Sequence, residues 1–146
     1  MAVRAIPEGY DSVIPYLLVD DAAQQIEFLK QMFGASELSC HKGPDGAISH
    51  AEVKIRDSVL MISQAQEEWP AMAAMHYLYV DDVDAVYKAG LAAGGTSVRE
   101  PRDEFYGDRA CGVADPWGNQ WWVATHVEDI SEEEMQRRMD EMSQQA

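Results

Sequence analysis

Asp115-Pro116-Trp117-Gly118-Asn119-Gln120-Trp121-Trp122-Val123-Ala124-Thr125-His126 is the stretch from which the fold of this chain can be read. Asp-Pro sets an extended backbone and starts a turn, and Gly118 supplies the positive φ that other residues resist. Trp121 to Thr125 then runs through strand formers, so a turn followed by a buried strand is predicted.

Self-similarity extends this reading to the whole chain. Tyr16-Leu17-Leu18-Val19-Asp20-Asp21 recurs as Tyr77-Leu78-Tyr79-Val80-Asp81-Asp82, five identities in six at an offset of 61 residues, and Gly34 maps onto Gly95. Each copy reads as a strand, an Asp pair that caps a helix, the helix, and a glycine that closes it in the left-handed region. Ala22, Ile26, Leu29 and Phe33 recur at helical spacing in the first copy, and Val83, Val86, Tyr87 and Leu91 in the second. Alternating segments follow each helix, giving two βαβββ modules at about 10–65 and 73–126, with 66–72 as the linker. Ser131 and Glu134 form a capping box, and Met135, Met139 and Met142 stripe a terminal helix over 131–142. That stripe is expected to pack on the domain or on a second subunit. The fold class is α+β, in a single 1–146 domain.

Composition bounds the function. A 146-residue chain with 47% hydrophobic and 25% charged residues can bury a globular core. The longest apolar stretch, Ala71 to Val80, falls short of the roughly 20 residues a membrane span needs. Met1 to Tyr10 lacks the apolar core of a signal peptide, so a cytoplasmic location is expected. A net charge of −15 without a basic cluster argues against nucleic acid. Cys40 and Cys111 have no metal or disulfide spacing and are expected as free thiols.

Paired βαβββ modules with Asp-Pro-aromatic-Gly before the last strand resemble the vicinal oxygen chelate superfamily of glyoxalases, extradiol dioxygenases and bleomycin-resistance proteins. Tyr106-Gly107-Asp108-Arg109, Asp115-Pro116-Trp117-Gly118 and Thr125-His126-Val127-Glu128-Asp129 look like its PhnB-like, glyoxalase-related group. The resemblance implies curved sheets around a ligand cavity, commonly completed in a homodimer. It also implies metal-ligand positions, which here carry Ile14, Met61, Met75 and Trp122. None of these suits a hard or borderline divalent cation, so no metal site is expected. A one-residue slip would instead bring His76 into the first-strand position; otherwise His76 belongs on the helix-packed face or at a strand edge.

Strand alternation supplies the rest of the cavity. Ala51, Val53 and Ile55 should lie against the helices, which turns His50, Glu52 and Lys54 to the concave side. A tight Arg56-Asp57 hairpin would set Glu52 opposite Met61. The same parity offers Ile14 and Tyr16, then Met75, Tyr77 and Tyr79, then Trp122 and His126. By the repeat offset, Cys111 is the partner of His50 and could face the second concavity. Arg109 either binds an anionic substrate or braces its loop through Asp108, and Glu128 and Asp129 read as helix-start charges.

Two functions are carried forward. The first is metal-free capture of a small aromatic or cationic molecule, oriented by Glu52. The second is a glyoxalase-like lyase, isomerase or dioxygenase, using either Zn, Ni, Fe or Mn or Glu52 and His50 as acid and base. A scaffold whose pocket is filled by its own side chains is a third reading.

Overall fold

A computed structural model describes residues 2–145; Met1 and Ala146, the ends of the expected 1–146 domain, lie outside the described residues. The first module runs β1 (Tyr16–Val19), α1 (Ala22–Phe33), β2 (Ser36–Lys42), β3 (Ile48–Ile55) and β4 (Ser58–Gln64). The second repeats the order with β5 (Met75–Tyr79), α2 (Val83–Ala92), β6 (Thr96–Asp103), β7 (Asp108–Ala114) and β8 (Gln120–His126). A terminal helix, α3 (Glu132–Gln145), follows and runs past the expected end at 142. Each module forms one mixed sheet, in the orders β1-β4-β3-β2 and β5-β8-β7-β6, with its first strand parallel to its last.

The repeated Asp pairs act as anticipated. Asp21 accepts from the Gln24 amide and Asp82 from the Ala85 amide, each at 3.1 Å, satisfying donors that the first helical turn leaves open. Gly34 closes α1 at φ 68°, with its amide on the Lys30 carbonyl. Its expected counterpart Gly95 does another job. Gly94 takes the positive φ of 106°, whereas a Cβ on Gly95 would lie 2.6 Å from Val113 and 2.8 Å from the Gly90 carbonyl oxygen. A second repeated device ties each helix start to the closing strand. Gln64 accepts from the Ala22 amide at 3.0 Å, and Thr125, at the equivalent position, accepts from the Val83 amide at 2.9 Å.

Apolar residues of alternate parity build the core: Ala51, Val53, Ile55 and Ile62 in one sheet, Cys111, Val113, Trp121 and Val123 in the other. The modules join along this layer. Trp121 meets Phe33 of α1 with ring centroids 5.5 Å apart, Trp117 meets Phe28 edge-on at 6.3 Å, and Met32 fills the space that a side chain at Gly90 would need. Truncating a buried aromatic such as Trp121 to Ala costs on the order of 3–5 kcal/mol.

Asp115 of the opening turn and Asp108 are the buried carboxylates among the described residues. Asp115 Oδ2 accepts from Gln25 Nε2 at 3.0 Å, Asn119 Nδ2 at 3.2 Å and Trp121 Nε1 at 3.0 Å; Oδ1 accepts from the Trp117 and Asn119 amides. Asn119 also donates to Gln25 Oε1 and accepts from the Ala74 amide. The turn is thus a buried polar link between α1 and the second sheet.

Candidate functional site

Strand register places the concave-face residues. In the first sheet Tyr16 lies opposite Met61, Met61 opposite Glu52, and Glu52 opposite Ser39. The matching row of the second sheet is Tyr77, Trp122, Gly112 and Arg99. Glu52 therefore corresponds to Gly112, an offset one shorter than the 61 of the flanking strands. The Asp115–Asn119 connection is longer than the two-residue Arg56-Asp57 hairpin and absorbs the difference.

That shift corrects the expectation for Cys111. It lies opposite Val123 in the fully buried core, not beside a second concavity, and burial pushes its thiol up to about 11. Gly112 takes the inner position instead. A Cβ there would lie 2.9 Å from the Trp122 ring, so its absence lets the indole lie across β7. Arg99 stacks on the same ring with its guanidinium carbon 4.9 Å from the centroid.

A polar chain crosses the inner face of the first sheet. His50 Nε2 lies 2.9 Å from Glu52 Oε2, Tyr10 donates to Glu52 Oε1, and the Tyr16 hydroxyl meets His50 Nδ1 at 3.2 Å and Ser63 Oγ at 2.6 Å. Tyr10 belongs to the segment before β1, at the expected start of the first module, and the sequence reading assigned its side chain no partner. Its hydrogen bond, with that of His50, holds the Glu52 carboxyl below its ordinary value, so Glu52 is an ionised anchor and a weak base.

The second sheet carries a comparable cluster from different positions. Asp108 is 2% exposed; its Oδ2 accepts from the Tyr77 hydroxyl at 2.7 Å and the Tyr79 hydroxyl at 2.8 Å, and its Oδ1 lies 2.9 Å from His126 Nδ1. His126 Nε2 meets Asp129 at 2.8 Å. Burial pushes the Asp108 carboxyl up, but the bonds from His126, Tyr77 and Tyr79 outweigh it and the net shift is downward. The Tyr77 phenol is driven well up by burial, and that of Tyr79 by its bond to Asp108.

Two local readings are thereby corrected. Arg109 points to the helix side and pairs with Asp84 of α2 at 2.9 Å and with Asp103 at 3.3 Å, leaving it neither free for a substrate nor braced by Asp108. Asp129 binds His126, and Glu128 pairs with Arg138 of α3 at 2.7 Å, so neither starts a helix. Asp108 itself escaped the sequence reading. Counting register back from His126 reaches it, because the two lie directly opposite each other.

The remaining predicted residues sit apart from one another. Ile14 precedes β1 and is part-buried; Met75 lies opposite Gln120 and is exposed. Tyr16, Met61, Glu52 and His50 group on the first sheet, and Tyr77, Trp122 and His126 on the second. A groove of about 690 Å³ between the modules reaches Tyr77, Tyr79 and His126, together with Pro15, Leu60 and His76, but not the Glu52 cluster. Met139 and Met142 of α3 remain exposed, and none of that helix's residues is buried.

The positions that the resemblance assigns to a metal carry an alkyl, two thioethers and an indole, side chains that do not fit a hard or borderline divalent cation. Among the described residues no group of three or more His, Cys, Asp or Glu converges as a metal site. No helix there is long and apolar enough to cross a membrane.

The chain is similar to known proteins in sequence and in fold. The protein Rv0887c of Mycobacterium tuberculosis, described only as uncharacterized, is 33% identical over 150 residues, covering 95% of this chain and 86% of that one. Among solved structures, TioX from Micromonospora sp. ML1 superposes with a TM-score of 0.69 at 23% identity, over 80% of this chain and 99% of that one. A PhnB protein from Bacillus cereus, described as a putative 3-demethylubiquinone-9 3-methyltransferase, gives 0.62 at 15% identity, over 79% and 99%. The profile of the Glyoxalase/Bleomycin resistance protein/Dioxygenase superfamily matches residues 10–123, and with the paired modules this makes the chain a member of that superfamily.

Proposed function

We propose that this protein binds a small aromatic or cationic molecule against its inner sheet faces, without a metal, as a capture protein and not as a catalyst. One observation carries the reading. Tyr16, Tyr77, Tyr79 and Met75 stand 44–64% exposed on faces whose opposite sides are packed core, a concentration of aromatic and thioether surface that water does not favour. Ionised Glu52 and Asp108 lie behind the tyrosines, which makes the same surface attractive to cations. Covering it with a second copy would exclude water and deepen the site, so the binding unit is read as a homodimer.

The acid–base alternative has one observation in its favour, the 2.9 Å contact between His50 and Glu52. The lowered Glu52 carboxyl weighs against it, because a general base works best with a raised value. Thermal shift with N-methylquinolinium and with indane tests the capture reading. Both should raise the Tm of the wild type, and Trp122→Ala and Tyr77→Ala should lose that rise. Equal responses in wild type and variants would remove these residues from the site.

A further inference from the structure

The inter-module groove owes its chemistry to β5 being an edge strand, so that both of its faces reach the same space. Tyr77 and Tyr79 contribute one side, and His76 with Trp121 the other. The His76 ring lies nearly parallel to Trp121, with centroids 4.8 Å apart and planes 18° from parallel. Its Nδ1 is buried without a partner, and the side chain makes no hydrogen bond among the described residues.

A neutral imidazole carries one N–H and one lone pair. A proton on Nδ1 would bury a donor with no acceptor, a costlier defect than a buried lone pair. The proton therefore sits on Nε2, the ring nitrogen that is not enclosed, on a side chain that lines the groove. Burial lowers the His76 pKa and keeps the ring neutral, so the groove is offered a donor without a charge. The apolar floor comes from Pro15, Ile55 and Leu60, while Arg56 on the rim is engaged with Asp81 at 3.2 Å.

We propose that His76 is a specificity-determining residue whose Nε2–H selects planar aromatic ligands bearing a hydrogen-bond acceptor, an aromatic ketone above all. This rests on the reading that the protein captures a small aromatic molecule. The acceptor meets Nε2–H while the ring lies among Tyr77, Leu60 and Pro15. A groove of this volume falls in the range of small-molecule sites.

The test compares 1-indanone with indane, which share a ring skeleton and differ by the carbonyl. Ring nitrogen chemical shifts of wild-type His76 should report the Nε2–H tautomer and move on addition of the ketone. Dissociation constants from the same titration should favour the ketone roughly five-fold, the worth of one net hydrogen bond. His76→Phe, which keeps a ring against Trp121, should abolish that preference. An Nδ1–H tautomer in the wild type, or the same ketone preference in both proteins, would overturn the proposal while the capture reading stands. If neither probe perturbs Tyr77 or Trp121, both fall together.

Discussion

Asp108 and His126 face each other across the β7–β8 ladder with 2.9 Å between Oδ1 and Nδ1, and the far nitrogen of the same ring lies 2.8 Å from Asp129. Both carboxylates accept only, so the ring satisfies them with a proton on each nitrogen. Asp108, then Asp129, accordingly raise the His126 pKa above its ordinary 6.5. The group gains its partners on folding, so its contribution to stability is complete below 6.5 and is lost as pH rises through the raised value. NMR titration of the His126 ring should show that upward shift, and Asp108→Asn should reduce it. A midpoint at or below 6.5 in the wild type would contradict the clamp.

Asn119→Ala should destabilise the protein more than its size suggests. It removes the donor to Gln25 and one donor to Asp115, and it leaves the Ala74 amide without an acceptor. A buried network losing one member costs about 2–4 kcal/mol. Urea denaturation should show that loss with an unchanged slope, whereas a change under about 0.5 kcal/mol would mean that water replaces the amide.

Gly107 anchors the segment leading to α3, because its carbonyl accepts the Val127 and Glu128 amides. Its φ is +94°, and a Cβ would lie 2.2 Å from the Glu128 carbonyl oxygen, which is backbone and cannot swing aside. Gly107→Ala should lower the Tm and raise amide exchange over 127–131 while the first sheet keeps its protection. Uniform exchange in variant and wild type would show that the segment docks by other means.

The modules were legible because their signals are local. An Asp pair caps a helix from two residues, and alternation sets facing without knowledge of the partner strand, which is why Glu52 opposite Met61 could be foreseen. Cys111 was misread because a fixed offset of 61 ignores loop length, and the longer turn after β7 shifts register by one residue, reversing inward and outward. Asp108 was read only as a local partner of Arg109, whereas the β7–β8 register sets it opposite His126. Tyr10 was illegible for another reason. Its partner Glu52 lies 42 residues away, and a coil segment has no periodicity to reveal where its side chain lands. Arg109 has three acidic residues within reach in sequence or space; the packing of α2 on β7 selects Asp84, and the β6–β7 register, which sets Asp103 opposite Arg109, selects Asp103 over Asp108.

Glu52→Gln separates charge from shape at the first sheet. The amide oxygen can still accept from Tyr10, and the amide NH₂ can meet His50 as a donor, so the fold should survive with a modest loss of Tm. What disappears is the ionised carboxylate. The Tyr10 and His50 bonds lower the wild-type carboxyl below its ordinary 4.5, so its contribution to stability is present above 4.5 and is lost as pH falls through the lowered value; the variant should lack that acid-side dependence. N-methylquinolinium binding should weaken about five-fold or more, in proportion to one lost charge contact, while indane binding stays within two-fold. Calorimetric titration of both probes decides the matter. If the cation binds wild type and variant alike, Glu52 serves only to hold Tyr10 and His50 in place, and the cationic part of the ligand is read by Asp108 and its tyrosines alone.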